Sequence, residues 1–356
     1  MNNTVLKLTA GTLYAAVLSA GLTSCQPETS LPCDEEGIPT TLTISIGQDD
    51  GMSKAVQTAE NNHDNRINTL DVFIFNYQDR GSARYGKLDT YKRFEGGNTS
   101  NLQISATTGT KMICVVANSN IPSYDGVTDI SDFNALISQL ADETLGDFTM
   151  FGEVATGISE NSYLTINVRR MVAKVSVTSI KTDFEGTPYD GMSLTNCKLY
   201  LVNAYGQRHI YRNLEPEEVI FLNEGGLVAE DVNSTEEKGL LMDEITEEID
   251  DKGYSKVHNF FCYAYTTADE LKCTKLILQA TLDGTTFYYP IPINQDGYGH
   301  SGKGPAGISQ NSVYSYGITV TRPGSNSPNE PLESGSVNIS AKVEEWITAP
   351  FFDKTF

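Results

Sequence analysis

The stretch TTLTISIGQDDGMSKA, residues 40–55, governs the reading of the whole chain. Leu42, Ile44 and Ile46 alternate with Thr43 and Ser45, the period-two pattern of a strand with one buried face. A run rich in Gly and Asp follows over residues 47–53 and ends at Lys54, beside the small Ala55. Such clusters form exposed loops, and exposed loops are where proteases cut folded chains. The pattern predicts a buried strand that cleavage after Lys54 can free, leaving an apolar groove along a sheet edge.

On the N-terminal side, Lys7 precedes the apolar run LTAGTLYAAVLSAGL, residues 8–22, which is too short to cross a bilayer as a stable helix. It ends in Leu22-Thr23-Ser24-Cys25, which resembles a bacterial lipobox. Residues 1–24 are therefore expected to be a lipoprotein signal peptide, with Cys25 carrying acyl chains such as palmitate. No other stretch is apolar enough to span a membrane, so contact with one is expected only through that lipid. Residues 26–39 read as a polar tether, so that 25–54 forms one removable unit of tether and strand.

The chain has 356 residues, enough for two domains, and its formal charge of −21 excludes nucleic acid and anionic membrane surfaces as partners. Cysteines 33, 114, 197, 262 and 273 are odd in number, and Cys114, Cys262 and Cys273 sit in strand-like apolar runs. They read as small buried thiols more readily than as disulfides. With no C-x-x-C and four scattered histidines, no metal or other cofactor is expected.

Towards the C-terminus, INTLDVFIFNY (67–77) reads as a central strand, and further strands surround 91–94 and fill 102–117. In ISDFNALISQLADE, Ile130, Phe133, Leu136, Ile137 and Leu140 fall on one helical face behind a cap at Asp129 or Ser131. This is the one helix expected. YLTINVRRMVAKVSVTSIKTDF is long enough for one strand to close a first domain (55–167) and another to open a second (168–356). Residues 223–255 hold eleven acidic and two basic residues and read as an exposed insertion. LILQATL and TTFYYPIPI flank Asp283-Gly284, a two-residue hairpin turn. NSVYSYGITVTRPG supplies a strand, SNSPNEP (325–331) reads as a hinge with Pro328 and Pro331, and SVNISAKVEEW ends the ordered pattern. Many short strands and little helix predict a mainly β chain of two β-sandwich domains.

Together these residues resemble the fimbrillins, subunits of the type V pili of Bacteroidales. The resemblance rests on the lipobox, INTLDVFIF followed by KMICVVANSN and its helix, VRRMVAKVSV, NSVYSYGITVTRPG and VEEW, in that order. It implies two transthyretin-like sandwiches and an exported precursor in the outer membrane. It further implies an Arg- or Lys-specific surface protease that removes the first strand, and a C-terminal segment of another copy, or of a related subunit, that replaces it in cell-surface fimbriae. Where the family usually has Arg before the cut, this chain has Lys54, so a trypsin-like or Lys-specific enzyme fits better; Arg66, abutting the strand at Ile67, is the rival site.

The candidate donor has the matching period. Val337, Ile339, Ala341 and Val343 alternate with Asn338, Ser340, Lys342 and Glu344, and the phase breaks at Glu345-Trp346, where a bulge or a change of partner is expected. The function expected is that of an adhesive pilus shaft subunit. The rivals are a tip or anchor subunit, or a glycan-binding surface lipoprotein using Tyr288, Tyr289, Tyr298, Tyr314 and Tyr316. No nucleophile elbow, phosphate-cradling loop or spaced carboxylate pair supports an enzyme.

Overall fold

The computed structural model describes residues 37–48, 66–211, 219–234, 238–267, 269, 271–302, 304–332 and 335–346. Its N-terminal half comprises β1 (Pro39–Gln48), β2 (Thr69–Asn76), β3 (Leu88–Glu95), β4 (Leu102–Thr107), β5 (Gly109–Ala117), helix α1 (Ile130–Asn134), β6 (Ile137–Gln139), β7 (Met150–Ile158) and β8 (Tyr163–Arg170). The chain continues through β9 (Val172–Thr182), β10 (Thr195–Val202), β11 (Ala204–Tyr205), β12 (Gln207–His209), β13 (Phe221–Leu222), helix α2 (Ala229–Ser234) and β14 (Met242–Ile245). It closes with β15 (His258–Tyr263), β16 (Lys275–Leu282), β17 (Thr285–Pro292), β18 (Ser312–Val320) and β19 (Val337–Glu345).

Strand β2 shows why the N-terminal half is layered. Successive side chains on a strand point to opposite faces, and both faces of β2 are apolar. Leu70, Val72 and Ile74 join Leu42 and Ile44 of β1, Ile104 of β4, Ile113 of β5 and Ile166 of β8 in one core. Phe73 and Phe75, with Met112, Cys114 and Val116 of β5, pack on Phe133 of α1 in a second core that runs on into the C-terminal half. The strand order is β3-β2-β5-β7-β8-β1-β4. β7 meets β8 over two residue pairs only, at Met150 and Phe151. There the strands fold over, so that β1, β4 and β8 face β2 and β5 across the first core.

The C-terminal half is a sandwich of two sheets, β14-β10-β16-β17 and β15-β9-β18-β19. Leu199, Leu201, Leu276 and Leu278 of the first sheet and Val175, Val177, Tyr314 and Tyr316 of the second are buried in the shared core. In the β16–β17 hairpin, Asp283 (φ 49°) and Gly284 (φ 75°) both adopt the positive φ of a type I′ turn. Cys114, Cys197, Cys262 and Cys273 are buried, and Cys33 lies outside the described residues.

Two sequence expectations are corrected here. The helix expected over residues 130–143 ends at Asn134. Asp129 caps it, accepting from the Ser131 and Asp132 amides while Asp132 accepts from the Asp129 amide. Beyond it the chain opens into β6, whose Ser138 pairs with Arg208 of β12. Ile210 N–H donates to Leu136 O at 3.0 Å and Leu140 N–H to Gly206 O at 2.8 Å. Pairing with the C-terminal half thus outcompetes a helical propensity that is only a weak prior. The acidic stretch is not an extruded insertion: β14 pairs with β10, and Leu240, Leu241, Ile245 and Ile249 are buried. The stretch 325–331, expected as a hinge, begins at Ser325, which exchanges two 2.9 Å backbone hydrogen bonds with Tyr288.

The halves meet at Met171, the single residue between β8 and β9, which is itself buried. Beside it Glu143 is wholly buried, accepting from Thr149 N–H at 2.9 Å and from Tyr263 O–H at 2.8 Å. Ser138 Oγ lies 2.7 Å from the same Tyr263 hydroxyl. Burial, outweighing these hydrogen bonds, pushes the Glu143 carboxyl up to about 7 from an ordinary value near 4.5. Between those two values the folded chain binds the proton and the unfolded chain does not, so stability falls as pH rises through that window. The full effect is roughly 3 kcal/mol, and Glu143→Gln should flatten the decline of unfolding free energy between pH 4.5 and pH 7. Denaturant titrations across that range measure it; an unchanged slope would exclude Glu143 as its source.

Candidate functional site

Strand β1 is seated by its own alternation. Leu42 and Ile44 are fully buried in the first core, and Ile46 is half-buried at its rim. The opposite face, Thr41, Thr43 and Ser45, is exposed or half-exposed, with Ser45 Oγ 2.8 Å from the Tyr163 hydroxyl. The expected edge groove is corrected: β1 lies inside the sheet, antiparallel to β4 (Leu42 opposite Ile104) and parallel to β8 (Ile46 opposite Ile166). Ile46 N–H reaches Thr99 O at 2.7 Å and Thr43 N–H reaches Ser162 O at 3.0 Å. Taking β1 away would therefore strip two backbone ladders instead of one. It would also expose apolar surface worth about 3–6 kcal/mol for the two fully buried side chains.

Strand β19 is held differently. It is the edge of its sheet and pairs with β18 alone, from Val337 opposite Val320 to Glu345 opposite Ser312, with no shift of register. The bulge expected at Glu345-Trp346 is absent. Trp346 continues the ladder through a 2.7 Å bond from its N–H to Asn311 O and is buried. Only the first half of the apolar face is covered: Val337 and Ile339 pack against the core, whereas Ala341 and Val343 are exposed. The other edge of β19 faces no strand among the described residues.

Cys25, Lys54 and Ala55 lie outside the described residues. Arg66 lies within them, and its carbonyl, which belongs to the bond a protease would cut there, accepts from Asn118 Nδ2 at 2.7 Å. Asn118 Oδ1 also receives the Asn68 N–H at 2.8 Å, and Ile67 is buried. This clamp escaped the sequence reading. The signal lay in the asparagine that ends KMICVVAN, for Asn118 adopts φ 54°, a conformation that favours Asn over most residues. Of the five tyrosines a sugar-stacking surface would use, Tyr289, Tyr314 and Tyr316 are buried. Among the described residues no group of three or more His, Cys, Asp or Glu is placed to hold a metal ion, and no helix is long and apolar enough to cross a membrane.

Residues 40–192 match the family described as major fimbrial subunit protein (FimA), a range that takes in the β1 seat. The major fimbrium subunit FimA type-4 of Porphyromonas gingivalis is 34% identical over 71 residues, covering 18% of this chain and 18% of that protein. The chain thus matches less than a fifth of this relative's length. A solved fimbrilin (FimA) from Porphyromonas gingivalis has a TM-score of 0.61 at 19% identity, covering 86% of this chain and 98% of that one. A candidate cell adhesion protein from Bacteroides eggerthii gives 0.64 at 19%, covering 87% and 97%. At such identities the likeness carries the fold, and it runs through nearly all of both chains.

The two strands should differ sharply under truncation. Ile44→Ala should cost about 2–5 kcal/mol, as for buried aliphatic residues. Val343→Ala, at a site 41% exposed, should stay within about 0.5 kcal/mol. Equilibrium denaturation of the full chain measures both, and equal losses would show that β1 is seated no more firmly than β19.

Proposed function

We propose that the chain is a fimbrillin of the Bacteroidales type, a structural subunit of the pilus shaft that polymerises by protease-triggered strand exchange. The reading rests above all on β1, an N-terminal strand in the interior of a sheet, with Leu42 and Ile44 buried and Lys54 only six residues past its end. Cleavage after Lys54 removes the segment from Cys25 to Lys54, together with its lipid anchor in the outer membrane. The C-terminal segment of another copy, bearing Val337, Ile339, Ala341 and Val343, then enters the vacated slot.

The arrangement favours exchange on both sides. The slot presents unpaired donors and acceptors on β4 and β8, the condition under which an added strand gains backbone hydrogen bonds as well as apolar contact. The donor is an edge strand with half its apolar face uncovered, so it gives up less than it gains. Donor and slot sit on different parts of the molecule, so the contact is head to tail and propagates as a fibre without closing. The intact β1 blocks the slot until the protease acts. The clamp of Asn118 on the Arg66 carbonyl supports Lys54 over Arg66 as the cut.

A trypsin-like or Lys-specific protease added to the purified precursor should produce fibres whose subunits begin at Ala55. Lys54→Ala should fold normally and fail to mature, and a chain lacking residues 337–356 should be cut yet form no fibres. Electron microscopy and N-terminal sequencing report both outcomes. Normal assembly of the first variant would displace the scissile bond, and normal assembly of the second would exclude the tail as donor. A lipidated Cys25 retained in surface fibres would indicate an anchor subunit instead.

A further inference from the structure

Trp346, the only tryptophan of the chain, occupies a socket assembled from both halves of the molecule. The guanidinium of Arg170, the last residue of β8, lies 4.4 Å from the centre of the indole, and Lys174 Nζ of β9 lies 4.8 Å from it. Phe261 of β15 stacks beside it at 5.9 Å, and Phe148, from the N-terminal half, meets it edge-on at 6.0 Å. Arg170 Nη1 also donates to Asn311 Oδ1 at 3.2 Å and reaches the Trp346 carbonyl at 3.5 Å. The side chain of Arg170 is 1% exposed and the indole 4%. The socket therefore joins two desolvated cations, two aromatic rings and the backbone on either side of the indole, an arrangement in which cation–π attraction is at its strongest.

The support of Arg170 links this socket to β1. Residues Tyr163 to Val168 of β8 pair with Thr43 to Gln48 of β1, while β7 holds only Arg169 and Arg170. Six of the eight residues of β8 thus take their ladder from the strand that is to be removed. We propose that the socket around Trp346 is a latch on the C-terminal strand that β1 holds closed through β8. Removing β1 leaves β8 tethered to β7 by two residue pairs, loosens Arg170, and frees Trp346 together with the end of β19. The step that vacates the acceptor slot thereby also releases the donor, so neither is available without the other. By linkage the dependence is mutual: an empty socket weakens the hold of β8 on β1.

This inference rests on the strand-exchange reading but is tested apart from it, because Trp346 reports its own environment. The full precursor is compared with protease-cut chain from which the 25–54 fragment has been separated, at a concentration too low for fibres to grow. Emission from the intact chain should be blue and poorly quenched by acrylamide. After loss of β1 it should shift to the red, with quenching raised severalfold. Arg170→Gln, which keeps the strand but removes the cation, should show the red-shifted, well-quenched emission before any cut. Trp346→Ala should shorten the lag before fibres appear once the cut is made, and Trp346→Phe should restore part of it. A tryptophan that stays blue and shielded after β1 is gone, while fibres grow at higher concentration, would overturn the latch and leave strand exchange standing. Red-shifted emission with no fibres at any concentration would support the latch and sink the exchange.

Discussion

A strand in the interior of a sheet must satisfy its backbone donors and acceptors on both sides, and β1 does so in opposite senses, antiparallel to β4 and parallel to β8. Burial adds a second demand, for Leu42 and Ile44 fill the centre of the first core. A seat with both requirements is costly to leave empty, because an unpaired buried amide or carbonyl forfeits the water it would otherwise bind. A strand in that place has to offer alternating apolar side chains as well as a free backbone. The demand is therefore one of pattern more than of individual side-chain recognition.

The junction between the halves carries the remaining constraints. With one residue, Met171, between β8 and β9, the two sandwiches cannot move far apart, and buried groups tie them further. Glu143 binds the N-terminal half to Tyr263 of β15, and Arg170 meets Asn311 and Trp346. Phe73 and Phe75 of β2 lie in the same apolar cluster as Tyr314 and Tyr316 of β18. Buried polar groups of this kind contribute less to net stability than to fixing one arrangement, since their partners must be present in the correct geometry. The alternation of β2, apolar on both faces with Asp71 held by the Tyr91 hydroxyl at 2.8 Å, lets one strand serve both cores.

The period-two runs declare themselves in the sequence. β1, β2, β5, β16, β17 and β19 lie where alternating or continuous apolar stretches put them, and Asp283-Gly284 turns the hairpin as its φ preferences require. The expected helix over 130–143 fails for a physical reason: the face of Ile130, Phe133, Leu136, Ile137 and Leu140 is equally compatible with a short helix and a strand once β12 offers a backbone ladder. The acidic run fails similarly, because charge counts do not register the Leu240, Leu241, Ile245 and Ile249 anchors between the carboxylates.

The sequence by itself determined the class of the fold and the alternating strands at its two ends, β1 and β19, because alternation and turn chemistry are local properties of the chain. Only the tertiary structure decided that β1 lies inside its sheet while β19 lies at an edge. It alone decided that Asn118 clamps the backbone at Arg66, and that Trp346 rests between Arg170 and Lys174. These are pairings between residues far apart in the chain. Which strand neighbours which, and which side chain fills which socket, follows from competition among all the surfaces at once, and no local pattern records its outcome.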